Sequence, residues 1–434
     1  MTIAASAQTK TWTLQECLDY AVENNISLRQ SRNTYASGLE DTYQAKAAML
    51  PSVSASSSQG FSNRPFSNSG SSTVVGSEVF STSKSSSYSG NYGINAGMTL
   101  YNGGSLRNSL AQSKVQNSID SLSVEENTND IMISIVQAYM QCLYAKEAVS
   151  LAYSTAEASK AQRDRAIELK NAGELSKVEV AQLESQYASD LYQITSSEVS
   201  LDNSKLTLKQ LLELGVTDDI DVVLPSDEET LILKVLPTKE IVCENAKEAM
   251  PQIQRAKLNI DAAELSLKQA KSGYLPTLSA NAGMSTTNVS GSGNSFVNQL
   301  ERNFNESIGL NLSIPIAQGR RTKTAVNKAK IAADNSLLQQ MSIEKSLMKE
   351  VESTYLSAVS AQSQYVSAKE KEKYAAQSYE LTSEQFRVGM KNTVELMTAQ
   401  NNLLSARVAV LQSKYTALLN NTLLDIYQGN YNIR

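Results

Sequence analysis

The chain has 434 residues, of which 41% are hydrophobic and 19% charged, with a net charge of −5 and no histidine. This balance excludes a nucleic-acid binder, which would carry a basic patch with interleaved aromatics, and argues against catalysis by a near-neutral proton shuttle or a histidine-ligated zinc. Mean hydropathy is −0.30, and no run approaches the ~18–20 apolar residues of a membrane-spanning helix, which leaves a soluble protein or one that crosses by alternating strands.

Residues 1–12 read as a tail in which Ala5-Ser6-Ala7-Gln8 has the small-residue end of a signal peptide without its charged and apolar regions. Residues 13–50 read as short helices. Residues 51–103 read as a strand hairpin: Ser52 to Gly60 and Ser87 to Leu100 flank a Ser/Asn/Gly-rich loop at roughly 61–87. The second strand alternates, with Ile94, Ala96, Met98 and Leu100 on one face and Asn95 and Thr99 on the other.

Residues 104–214 read as a helical hairpin. No Gly or Pro occurs between Gly104 and Gly173 or between Gly173 and Gly215, and helix interiors exclude both residues. At ~1.5 Å per residue the first arm could reach about 100 Å. Tyr187, Leu191, Ile194, Leu201 and Leu208 follow coiled-coil spacing, a seam for neighbouring helices. Residues 215–237 form a linker.

The second half repeats the first: short helices at 238–275, a strand hairpin at 276–318, a helical hairpin at 319–428 and a tail at 429–434. Leu50-Pro51-Ser52 matches Leu275-Pro276-Thr277, and Thr13, Ala21 and Glu23 match Thr238, Ala246 and Glu248, all 225 residues apart. Gly173, Val178 and Glu179 match Gly389, Val394 and Glu395, 216 apart. Leu278, Ala280, Ala282 and Met284 alternate, as do Ile308, Leu310, Leu312 and Ile314. Leu404, Val408, Leu411, Tyr415, Leu418 and Thr422 form a second seam. Helices this long with so thin an apolar stripe must lie in a bundle or sheath.

Alternation alone fits either a half-buried antiparallel sheet in a soluble protein or a barrel wall between lipid and water; the two matched hairpins on long helices favour the barrel. Four strands cannot close one, because the smallest membrane barrels need about eight, and open edges are not tolerated in lipid. The fold class expected is therefore a mixed α/β membrane protein, mostly α, with a two-fold internal repeat of long coiled-coil hairpins. Its four strands per chain would complete a trimeric 12-stranded β-barrel. The rival from another class is a periplasmic coiled-coil adaptor or structural protein, which needs the helices but not the strand hairpins. No catalytic constellation is present, because there is neither a nucleophile elbow nor a phosphate-binding glycine loop. Cys17, Cys142 and Cys243 lack CxxC spacing, so no metal site or disulfide framework is indicated; a Cys17–Cys243 bridge stays open beside isolated thiols.

The Leu50-Pro51 and Leu275-Pro276 strand openings, Tyr101-Asn102-Gly103-Gly104 and Gln318-Gly319-Arg320-Arg321 before the long helices, and the Gly173 and Gly389 turns together resemble the TolC-like outer-membrane efflux protein family. The resemblance spans nearly the whole chain. It implies a homotrimeric duct of the outer membrane that extends into the periplasm, conducts exported substrates passively, and carries no enzyme activity or cofactor. Its implied partners are outer-membrane lipid, a periplasmic adaptor and an inner-membrane transporter. Adaptor docking is expected at the Gly173 and Gly389 turns, and a periplasmic gate at Glu179, Lys391, Phe386 and Glu395. Glu179 is expected to pair with Lys391 between hairpins, and Glu395, tripled by symmetry, to form an acidic ring. Thr398 falls where the resemblance would place a second lumenal carboxylate. The plain alternative is that these are solvated surface charges, each worth about 0–1 kcal/mol. The basic cluster Arg320, Arg321, Lys323, Lys328 and Lys330 reads as facing lipid headgroups or as a solvated face. Tyr88, Tyr92 and Tyr101 read as candidates for an interfacial girdle.

Overall fold

The computed structural model describes residues 10–63, 71–75, 78–82, 86–223, 228–291 and 293–430. The signal-peptide-like residues 5–8 and part of the 61–87 loop lie outside them. Strand β1 (Lys10–Trp12) is followed by helices α1 (Leu14–Asn24) and α2 (Ile26–Ala47) and strands β2 (Ser52–Asn63), β3 (Ser71–Val75), β4 (Glu78–Thr82) and β5 (Ser86–Asn102). Next come helices α3 (Ser105–Asn171) and α4 (Lys177–Leu211), strand β6 (Ile220–Val222), and helices α5 (Glu228–Ile232), α6 (Lys239–Ala249) and α7 (Pro251–Ser272). Strand β7 (Thr277–Val289), helix α8 (Phe296–Arg302), strand β8 (Asn305–Ser313) and helices α9 (Arg321–Arg387) and α10 (Thr393–Tyr427) complete the order.

The repeat is metrical. Helices α1 and α6 have 11 residues each, α2 and α7 have 22, α3 and α9 have 67, and α4 and α10 have 35. Thr13 and Thr238, matched in sequence, are the N-caps of α1 and α6. No described helix is long and apolar enough to cross a membrane.

The chain divides into two compact units. One comprises the described residues of Met1–Thr34, Ser121–Arg255 and Gln340–Arg434; the other, Tyr35–Asp120 and Ala256–Gln339. The first is built on a core that includes Leu18, Tyr139, Leu208, Ile220, Val222 and Leu418. Strands β1 and β6 pair in parallel within it, Lys10 opposite Ile220 and Trp12 opposite Val222. The buried Tyr139 hydroxyl donates to the Val223 carbonyl at 2.6 Å, with that of Trp12 at 3.0 Å, and holds the pair against α3. This corrects the reading of the segments ending at residue 12 and spanning 215–237 as tail and linker. Three-residue strands are too short to alternate, and their partner lies about two hundred residues away.

The coiled-coil seam of α4 is buried at Ile194 and Leu208 and half-buried at Tyr187 and Leu201, but departs from expectation at Leu191. Leu191 is 44% exposed, whereas Asp190 is 6% exposed. Neutral donors explain why a carboxylate is tolerated there: Ser159 of α3 hydrogen-bonds Asp190, Gln186 donates to it at 3.0 Å, and Gln400 of α10 donates to Ser159 at 2.7 Å. Burying an unpaired carboxylate would be prohibitive, and hydrogen bonding is what permits it.

The second unit carries a four-stranded antiparallel sheet in the order β2-β5-β7-β8. Val53, Ala96, Ala282 and Ile308 form one row across all four strands, and the adjacent row is Ser54, Asn95, Gly283 and Ser307. The sheet is thus apolar on one face and polar on the other, as its alternation predicts. The apolar face is bare: Val53 is 69% and Ile308 90% exposed. A bulge between Thr99 and Tyr101 brings Tyr101 opposite Leu278, which corrects the expectation that Leu100 continues the apolar row. Strands β3 and β4 pair antiparallel inside the 61–87 loop, and α8 lies between β7 and β8; neither was expected from the polar composition there.

Candidate gate at the helical turns

Both long hairpins turn by the same device. At the end of α3, Gly173 has φ +84°, its N–H donates to Lys170 O at 3.0 Å, and Glu174 N–H donates to Leu169 O at 2.9 Å. At the end of α9, Gly389 has φ +75°, with Gly389 N–H to Phe386 O at 3.0 Å and Met390 N–H to Gln385 O at 2.9 Å. This is the Schellman motif, which satisfies the last helical carbonyls and requires a left-handed residue. A Cβ at either glycine would meet nothing within 4 Å, so it is the dihedral, and not space, that demands glycine.

The following helices open on matched capping boxes. Ser176 Oγ accepts from Glu179 N–H at 3.2 Å, and the Glu179 carboxylate accepts from Ser176 N–H at 3.0 Å. Asn392 Oδ1 accepts from Glu395 N–H at 2.9 Å, and the Glu395 carboxylate accepts from Asn392 N–H at 3.2 Å. The Ser176 N–H, then its hydroxyl, holds the Glu179 carboxyl below the ordinary glutamate value. For Glu395 the chief cause is the hydrogen bond from Lys391, followed by the Asn392 N–H.

Lys391 is thus engaged by Glu395, four residues on, and Glu179 by its own N-cap. The expected Glu179–Lys391 pair is not formed within the chain. A lysine one turn ahead of a carboxylate meets it without any long-range arrangement, and Glu179 is engaged by its capping box, with a smaller contribution from the Thr393 hydroxyl of the second hairpin. Thr398, at the expected site of a second carboxylate, is exposed and its hydroxyl donates to Val394 O at 2.7 Å.

The two turns are brought together by a small apolar cluster of Ala166, Val180, Leu183, Phe386 and Leu396. Phe386 is 7% exposed and packs α9 against the first hairpin. Above it, Gln162 donates to the Tyr379 hydroxyl at 2.6 Å, a second tie between hairpins. Sequence reasoning missed this tie and the Asp190 layer; the only available signal was polar residues at helix positions where the seam demands apolar ones.

Elsewhere, Arg320, Arg321, Lys323, Lys328 and Lys330 are all exposed, and none forms an ion pair with another described residue. Tyr88 and Tyr101 are 43% and 47% exposed, while Tyr92 packs edge-on against Phe296 at 6.4 Å. The cysteines are free, Cys17 and Cys142 buried and Cys243 partly so. Among the described residues no group of His, Cys, Asp or Glu could hold a metal ion.

With hairpins, sheet and turns in view, comparison with known proteins decides the class. The family model for outer membrane efflux proteins matches residues 17–213 and 242–429. The chain belongs to the outer membrane efflux protein family. It is 24% identical to the outer membrane protein TolC of Salmonella enteritidis over 427 residues, covering 96% of this chain and 82% of that protein. It is 21% identical to the outer membrane efflux protein BepC of Brucella suis over 412 residues, covering 94% and 83%. Among solved structures, CusC superposes with a TM-score of 0.80 at 16% identity, covering 98% of this chain and 95% of that one. The open-state MtrE channel of Neisseria gonorrhoeae superposes at 0.77 with 17% identity, covering 96% and 88%. The chain is accordingly a channel-tunnel of an efflux or secretion system, placed in the outer membrane and extending into the periplasm. Its family consists of channel proteins, not enzymes, and membership sets aside the coiled-coil adaptor reading.

Proposed function

We propose that three copies close a 12-stranded barrel continued by a helical tunnel, through which exported substrates pass without chemical change. The observation that carries this reading is the sheet: its apolar face is exposed, and β2 and β8 end it with no described partner. An apolar wall with free edges is untenable in lipid until the edges are paired. A periplasmic adaptor docks at the Gly173 and Gly389 turns and an inner-membrane transporter supplies the substrate; the exposed Val178 and Val394, 68% and 58%, flank those turns in each repeat and support a docking role.

The gate is the same pair of turns. Glu395, brought three times around the axis, forms an acidic ring of the kind that favours cations, and Lys391 neutralises it at rest. Phe386 anchors the second hairpin on the first, so moving one tip moves the other. Lys391→Ala leaves the Glu395 carboxylates uncompensated, and their mutual repulsion drives the tips apart. Its closed-state conductance in planar bilayers is expected to exceed that of the parent channel by several-fold; an unchanged conductance would sink the gate assignment.

A further inference from the structure

We infer that the helix ends next to the four-stranded sheet form a basic collar that holds the headgroups of anionic phospholipid in the leaflet facing the periplasm. The bare sheet face is taken as the lipid-facing one, as proposed above, whatever the number of copies that close the wall.

Charge is segregated along the second unit. Residues 42–51, 102–119, 265–276 and 314–333 cover the sheet-side ends of α2, α3, α7 and α9. Together they hold ten basic residues and no acidic one, whereas the rest of the chain has 29 basic and 44 acidic. The first carboxylates met along these helices, going away from the sheet, are Asp41, Asp120, Glu264 and Asp334. On α3 the uncompensated stretch extends ~22 Å. The other end of the sheet differs: residues 286–306, which join β7 to β8, hold Arg302 against Glu301 and Glu306. All ten cations are exposed, and none forms an ion pair with a described residue. A solvated face mixes the two signs; a single-sign band beside a membrane-embedded wall is the pattern that attracts anionic lipid.

The internal repeat carries the same cations twice. Lys46 and Lys271 correspond at 225 residues, and Arg107 with Lys323 and Lys114 with Lys330 at 216. Helix dipoles account for Lys46 and Lys271, each in a last turn, but Arg321 and Lys323 stand in the first turn of α9, where the dipole disfavours a cation. Arg320 goes further. It holds φ +67° at the position where the first repeat has Gly104 at φ +82°, a conformation that costs arginine and spares glycine.

The geometry aims these groups at lipid. On α3, Gln112 bonds Ser266 and Gln269 of α7, and Ser113 accepts from Thr42 of α2 at 3.3 Å. Arg107 and Lys114, seven residues apart, lie on the face turned away from both contacts. In a curved wall the neighbours of a helix lie toward its concave side, so that face is the convex one. Gln318 donates to the Gly273 carbonyl at 3.1 Å and fastens the turn of Arg320 and Arg321 to the end of α7 with Lys271. Tyr274, Leu275, Ile314 and Ile316 are exposed beside them. Cations thus border apolar surface as phosphates border acyl chains.

The test incubates the full chain, delipidated in mild detergent, with equimolar phosphatidylglycerol and phosphatidylcholine in mixed micelles, and counts the lipid retained on re-isolation. Preferential retention of phosphatidylglycerol is expected. Arg320→Gly/Lys323→Gln/Lys330→Gln is expected to lower it at least about threefold and to leave phosphatidylcholine unchanged; Gly104 shows that the turn accepts glycine. Lys323→Arg/Lys330→Arg keeps the charge and is expected to retain the parent amount. Lys345→Gln/Lys349→Gln/Lys371→Gln removes three exposed cations outside the collar and is expected to change nothing; a loss equal to that of the collar variant would reduce the effect to net charge and overturn the site. Equal retention of the two lipids by the parent also overturns it and leaves the lipid-facing wall standing. Retention of neither lipid contradicts the wall itself. Displacement of phosphatidylglycerol by soluble glycerol phosphate overturns the assignment to lipid, because the acyl chains then contribute nothing.

Discussion

Glu179 and Glu395 each occupy the third position of a helix, where a carboxylate can accept the otherwise orphaned N–H of the N-cap. In both, folding lowers the carboxyl below the ordinary value of 4.5. A depressed folded value means that the capping contribution is fully present above the unfolded glutamate value and is lost as pH falls through the folded one. The Ser176 and Asn392 amides, which donate to these carboxylates, are therefore expected, after correction for intrinsic exchange, to lose protection from hydrogen exchange as pH falls below the ordinary glutamate value. Glu179→Gln and Glu395→Gln keep the geometry of the box and remove the titration, so the double variant should show a flat profile. An unchanged acid dependence in it would contradict the assignment. Both boxes are legible as Ser176-Lys177-Val178-Glu179 and Asn392-Thr393-Val394-Glu395, and so is the four-residue step from Lys391 to Glu395. The Glu179–Lys391 pair is not formed within the chain, where nearer partners compete for both charges: Glu395 for Lys391 and the Ser176 cap for Glu179.

At the scale of elements, absent Gly and Pro marked the long helices almost to their ends, since both residues are costly in helix interiors. Strand alternation found the four sheet strands for a similar reason: a membrane-facing sheet must separate its faces. Elements without such a constraint stayed hidden. Strands β1 and β6 are held by tertiary contacts around Tyr139, and α8 is a single short helix stabilised by its neighbours. The Asp190 layer is hidden too, because burying a carboxylate depends on Ser159 and Gln400, distant in sequence. Asp190→Ala leaves the buried Ser159 and half-buried Gln186 donors unanswered and is expected to destabilise the helical hairpins by about 1–3 kcal/mol. Asp190→Asn, which can still accept from one donor, is expected to cost less. Thermal unfolding followed by circular dichroism checks the order; equal stability of Asp190→Ala and the parent would show that the layer contributes nothing.

For the whole molecule, the internal repeat is the feature that links sequence to function. Two copies of one plan, with helices matched at 67 and 35 residues, make up the chain. Repetition explains why the chain carries bare apolar surface on its sheet and along α9 and why few of its polar residues have a chemical task. The central claim is that a wall of this kind exists only as a closed ring. The native mass of the particle extracted from outer membranes in mild detergent, corrected for bound detergent, tests it most directly. Three times the 47.1 kDa of the chain is the result expected; a monomer or dimer recovered without membrane would contradict it.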